Sequence, residues 1–209
     1  MTTPPNTAPA TASTRERLLE AAATVFLAQG FTAASMDMVR LEAGVSNGSL
    51  YHHFPTKVQL ADALYAHILR DFHAALLPPI SGRASTQTAE KGVKGLIRTY
   101  IQWVLQNPQS ARLLHELRRS GDTSGGAGEG AGKAETDTAN ANAFAALTAW
   151  IAQRVEAGDM RAMPFHVWMA LVFSPAVSLT QRWISQPQPT VAPKVRAALE
   201  HAAWMAVAA

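Results

Sequence analysis

The tetrapeptide Ala43-Gly44-Val45-Ser46 constrains the fold of this chain more than any other stretch. It separates two short helical segments, one over 36–43 and an even shorter one that follows Ser46 and ends before Pro55, each with its own start signal. Ser35 is placed to cap the first, with Asp37 against its N-terminal dipole, and Ser46 is placed to cap the second. Gly44 supplies the left-handed residue that ends the first segment, because without a Cβ it takes positive φ at no steric cost. The chain can therefore reverse sharply and set the second helix across the first. Val39, Val45, Leu50 and Phe54 are spaced to pack beneath the turn. Asn47, Ser49, Tyr51 and His52 then face outward, all of them hydrogen-bonding, and Gly48 adds no bulk.

Helical signals continue on both sides, and no segment sustains period-2 alternation, so the expected fold is all-α with about nine helices. Ser13 with Glu16 makes a capping box for a first helix over 14–29, stopped by Gly30. Its apolar positions Leu18, Leu19, Ala22, Val25 and Phe26 share one face. Thr56 with Gln59 caps a long fourth helix from Lys57 to about Leu77, closed by Pro78 and Pro79. Further helices are predicted at 87–106, at 108–120 with Asn107 as cap and Pro108 at the first helical position, at 139–157, 164–185 and 193–207. Pro175 is expected to kink the penultimate one, since it removes a backbone donor and crowds the preceding turn. Residues 1–13 read as a disordered tail, being rich in proline and free of charge. Residues 121–138 read as a Gly-rich flexible loop, and 186–190 as a turn.

Composition removes several classes of function. The absence of Cys excludes disulfide frameworks and thiol nucleophiles, and makes the cytoplasm the expected compartment. The most apolar run, Val167–Phe173, is about a third of the ~20 residues that cross a bilayer, so no membrane role is expected. His115-Glu116 begins an HExxH pattern, but Arg119 stands where the second His is required. The run ending Gly132-Lys133 lacks both the first glycine and the final Ser/Thr of a phosphate loop. His52 and His53 point about 100° apart on a helix, and no acidic residue follows at i+4, so they make no metal site. The expectation is no enzyme, no cofactor and no metal. Net charge is +3, but residues 15–83 hold six Lys/Arg against six Asp/Glu. Bulk charge is thus silent about nucleic acid, and the argument rests on individual residues.

Two crossed helices with a polar outer face are the geometry that seats a helix in the major groove. From GFTAASMDMVRLEAGVS through NGSLYHHFPTKVQLADAL the chain resembles the TetR (tetracycline repressor) family of transcriptional regulators, with Leu50, Tyr51, His53, Phe54 and Lys57 as the core of the likeness. The resemblance implies that Asn47, Gly48 and Ser49 read bases and that Ser35, Tyr51, His53 and Lys57 contact phosphates. Ser46 joins that surface as the cap of the reading helix. His52 occupies a variable position that touches base or backbone. Met38 and Arg40 depart from the usual pattern, and Arg40 adds a candidate phosphate contact. Lys57 also has an independent argument: a cation in the first turn of a helix opposes the dipole, and a phosphate partner would compensate.

The same resemblance implies a domain division: a helix-turn-helix DNA-binding domain over 14–60, and a helical effector-sensing and dimerisation domain over 61–209. Tyr100, Trp103, Phe144, Trp150 and Trp168 are the candidate cavity aromatics, with Arg112 or His115 as polar anchors. A neutral or weakly acidic, mostly apolar small molecule is expected, because few acidic residues lie nearby to receive a cation. The last two helices are expected to pair with those of a second copy. The expected function is a homodimeric repressor released from a palindromic double-stranded operator by a small-molecule effector. The alternative is an effector-independent regulator whose C-terminal domain is purely a dimer scaffold, which a filled core would favour.

Overall fold

The computed structural model describes residues 13–123, 131–184 and 190–209, and those residues form nine α-helices and two short 3-10 turns. Residues 1–12 of the expected tail and the 186–189 part of the expected turn lie outside the described residues.

Helix α1 spans Thr14–Ala33 behind the predicted capping box. The Ser13 hydroxyl accepts from Glu16 N at 3.2 Å, and the Glu16 carboxylate accepts from Ser13 N at 2.7 Å. That backbone hydrogen bond, then the Ser13 side chain, hold the Glu16 carboxyl below its usual range. Gly30 interrupts the helix rather than ending it. Its backbone is non-helical (φ 75°, ψ 154°), and one further turn follows to Ala33.

Helix α2 (Met36–Ala43) has the predicted bounds, and α3 (Asn47–His53) follows its Ser46 cap and ends before Pro55 as expected. Ser35 Oγ accepts from Met38 N, Ser46 Oγ accepts from Ser49 N, and Gly44 takes the left-handed conformation (φ 62°, ψ 40°). Val39, Leu50 and Phe54 are buried beneath the turn with Val45 packed against them. Arg17 of α1 secures the turn from outside, donating to Ala43 O at 2.6 Å. Helix α4 (Lys57–Leu76) starts at its Thr56 cap and buries Leu60, Leu64, Ile68 and Leu69.

After the 3-10 turns Pro78–Ile80 and Gly82–Thr86 come α5 (Ala89–Gln106), α6 (Pro108–Thr123), α7 (Ala131–Glu156), α8 (Phe165–Trp183) and α9 (Pro193–Val207). Asn107 caps the end of α5, its side-chain amide donating to Trp103 O at 2.9 Å. Helix α8 continues through Pro175. The expected loop over 121–138 is corrected at both ends: α6 runs to Thr123 and α7 begins at Ala131, so only 124–130 lie between helices, outside the described residues.

Helix α4 packs along α7, α5 along α9, α8 along α9, and α6 bridges α1 and α4. One continuous core results, from Leu18 and Phe26 in α1 to Val207 in α9. Glu200, almost fully buried in α9, is neutralised by the Arg98 guanidinium of α5 at 3.0 and 2.5 Å, the forked geometry that suits an Arg–carboxylate pair. No helix among the described residues is long and apolar enough to cross a membrane.

Candidate DNA-binding face and ligand cavity

The outward face of α3 is built as its sequence spacing predicts. Leu50 anchors the helix in the core, while Asn47, Gly48, Tyr51, His52 and His53 are exposed and Ser49 is half-buried. The capping hydroxyls of Ser35 and Ser46 act as acceptors toward their own helices. Each O–H hydrogen thus remains available to an external acceptor, such as a phosphate oxygen. Arg40 lies beside this face with its Nε donating to Asp37 Oδ1 at 2.7 Å, which fixes the guanidinium against α2.

Lys57 is placed otherwise than expected. Its ammonium donates to the carbonyls of Phe31 (2.9 Å), Thr32 (3.2 Å) and Ala34 (2.9 Å), and it lies 4.7 Å from the Phe31 ring centroid. Three protons meet three carbonyls, so the compensation for a cation at a helix start comes from the chain itself. In this structure Lys57 is thus a clamp on the segment leading into Ser35.

The C-terminal core is not filled. A cavity of about 280 Å³ lies among α4, α5, α6, α7 and α8. Of the aromatics singled out from sequence, Tyr100, Trp103 and Phe144 line it, as does His115. Phe72 sits edge-on to Trp103 (4.9 Å between centroids) and to Tyr100 (6.0 Å), and Phe173 closes on Tyr100 from α8 at 6.0 Å. The Tyr100 hydroxyl is 3.0 Å from Thr180 Oγ1. Thr180 already donates its one proton to Val177 O, so Tyr100 is the donor in that pair. Burial raises the Tyr100 pKa and keeps the phenol neutral. Burial, and then the neighbouring Arg118, lower the His115 pKa, which favours a neutral imidazole.

Three expected pocket residues lie elsewhere. Arg112 turns away and donates to Ile184 O (Nε at 3.0 Å), capping the end of α8. Trp150 is buried against Gly92 of α5, beneath the Arg154 guanidinium. Trp168 is completely buried, 6.3 Å from Phe173. Sequence reasoning missed the contribution of α4, where Tyr65, Leu69, Phe72, His73 and Leu76 all line the cavity. Their i, i+4, i+7, i+8, i+11 spacing was a readable stripe. Arg118, at the cavity mouth, was also missed.

Residues 18–64 match the family of bacterial regulatory proteins named for tetR, the segment that carries both crossed helices and the start of α4. Over that segment the chain is similar to the tetR family. Among tetR-type relatives, the helix-turn-helix transcriptional repressor KstR2 of Mycolicibacterium smegmatis is 41% identical over 68 residues, 32% of this chain and 31% of that protein. The chain's matches span between 25% and 57% of the lengths of the curated relatives. The tetR fold extends over nearly the whole chain. A tetR family regulator from Shewanella sp. PV-4 superposes with TM-score 0.74 at 22% identity, covering 95% of this chain and 100% of that one. The Bacillus subtilis regulator FadR, solved with stearoyl-CoA, superposes with TM-score 0.70 at 14% identity over 91% and 97% of the two chains.

Proposed function

We propose that this protein is a homodimeric repressor that binds a near-palindromic operator through α3 and leaves it when a small, mostly apolar molecule enters the C-terminal cavity. The observation that carries this reading is that the cavity and the DNA-binding unit share two helices. Leu69, Phe72 and Leu76 of α4 and Leu114 and His115 of α6 line the cavity. On the other side, Lys57 of α4 and Glu116 of α6 hold the Phe31 segment, just before Ser35. A ligand that prefers a different α4–α6 separation would thus shift the helix-turn-helix, and differential affinity for two such states is all that release requires. FadR carries an acyl ligand in the same fold, which supports a sensing role for the domain.

In this reading Asn47, Gly48 and Ser49 approach base edges while Ser35, Ser46, Tyr51, His53 and Arg40 surround phosphates. The dimer pairs α8 and α9 with their mates, and the exposed Leu171, Val195 and Met205 on those helices are the kind of surface such pairing buries. The protein works in the cytoplasm, where its operator is. Selection from a random duplex pool followed by footprinting is the test. Two half-sites about one helical turn or a multiple apart are expected; a single asymmetric half-site, or no preference, overturns the dimeric reading.

A further inference from the structure

The cavity's charge pattern goes further than its shape. Its described lining is apolar over most of its area, with Leu69, Phe72, Trp103, Leu147 and Met169 among the walls. No Asp or Glu occurs among the described lining residues, and Arg118 is the single formal charge. Several other arginines of this domain are satisfied by the chain itself. Arg98 is paired with Glu200, Arg154 with Asp159 and the Ser85 carbonyl, Arg112 with the Ile184 carbonyl, and Arg161 with carbonyls of the C-terminal residues. Arg118 makes no hydrogen bond or ion pair with any described residue, and it stands exposed at the edge of the apolar space, one helical turn from His115. The volume is just below the ~300–1,000 Å³ of ordinary ligand sites, so the enclosed body is small.

We propose, building on the sensing role argued above, that the effector is an organic monoanion: a medium-length acyl chain or compact ring system inside the cavity, with its carboxylate at the mouth on Arg118. The geometry favours this over the other two charge types. A cationic head would meet Arg118 with no described carboxylate to offset the repulsion. A neutral head would forgo the one charge-assisted hydrogen bond the lining offers. His115 adds a neutral N–H: if the Gln181 amide, 3.4 Å from Nδ1, donates there, the ring proton sits on Nε2 and is free to donate. The guanidinium stays hydrated in the empty protein, and the ligand's apolar part is what leaves water.

Decanoate, decanol and decylamine share one apolar body and differ in the head, so they separate the claims. Each is titrated into the full chain and into Arg118→Gln, with Trp103 in the cavity wall reporting by fluorescence. Decanoate should bind more tightly than decanol by about ten-fold or more, the worth of one charge-assisted hydrogen bond, and decylamine should bind least. Arg118→Gln should bring decanoate down to the level of decanol and leave decanol unchanged, which also shows that the variant is folded. Equal binding of decanoate and decanol, or a decanoate advantage that survives Arg118→Gln, overturns the monoanion assignment. Decanol matching decanoate and releasing operator would overturn that assignment while leaving the sensing reading standing. Operator binding with no response to any of the three would overturn both.

Discussion

The Glu116 carboxylate accepts a hydrogen bond from the backbone N–H of Phe31 at 2.7 Å, across 85 residues of sequence. The non-helical backbone at Gly30 takes this N–H out of the α1 ladder, and Glu116 replaces the lost carbonyl. A Cβ on Gly30 would stand 3.4 Å from the same carboxylate oxygen, in a backbone region that L side chains rarely adopt. Removing the acceptor in Glu116→Ala should cost about 1–3 kcal/mol, the penalty of a partly buried unsatisfied donor. Gly30→Ala should cost a similar ~1–3 kcal/mol through strain. Both should lower operator affinity beyond what the folded fraction explains. Urea unfolding with parallel operator titrations checks this, and variants with unchanged operator affinity per folded molecule would remove Glu116 from the path between cavity and DNA.

Lys57→Met should lower thermal stability while leaving the salt dependence of operator binding as it was, because its ammonium is spent on the Phe31, Thr32 and Ala34 carbonyls. A lost phosphate contact would instead reduce the slope of log K against log salt by roughly one unit. Asn47→Ala should show a third profile, relaxed preference at one base pair by ~1–3 kcal/mol. Binding isotherms at several salt concentrations, on the selected site and on single-base variants, distinguish the three.

Two glycine replacements should move in opposite directions. At Gly92 a methyl group would collide with the Trp150 indole. Overpacking of that kind costs about 1–3 kcal/mol. At Gly48 an added Cβ meets nothing within 4 Å, and the residue sits inside α3. Gly48→Ala should therefore stabilise the isolated protein, by up to ~1 kcal/mol of helix propensity. If α3 lies against base edges, the same change should weaken operator binding. A Gly48→Ala variant that gains stability and keeps full affinity would show that this position does not approach the DNA.

His115 should impose a pH dependence on stability. Burial, then Arg118, hold its folded pKa below the ordinary value of 6.5. Between the folded value and 6.5 the unfolded chain therefore binds more protons, so stability falls as pH drops through that window. His115→Gln should flatten this part of the curve relative to the parent, measured by urea midpoints below pH 6.5. Parallel curves for the two proteins would mean that the imidazole protonates as freely in the folded state as in the unfolded one.

Local chemistry alone determined the helix-turn-helix. Caps at Ser13, Ser35, Ser46 and Thr56, and the left-handed Gly44, act within three or four residues of themselves, so α2, α3 and the start of α4 were legible at residue level. The outward polar set of α3 followed from one buried anchor, Leu50, and a helical period. Tertiary structure decided everything that depends on which helix meets which. Periodicity marks an apolar face without naming its neighbour, so Tyr100 and Trp103 lining a cavity look the same in sequence as Trp150 and Trp168 filling a core. Long flexible cations are the extreme case. Lys57 found carbonyls 26 residues upstream in its sequence, Arg112 found the end of α8, and Arg118 was left facing the cavity mouth. A charged side chain goes to whatever acceptors packing brings within reach, and that is settled only when the helices have docked.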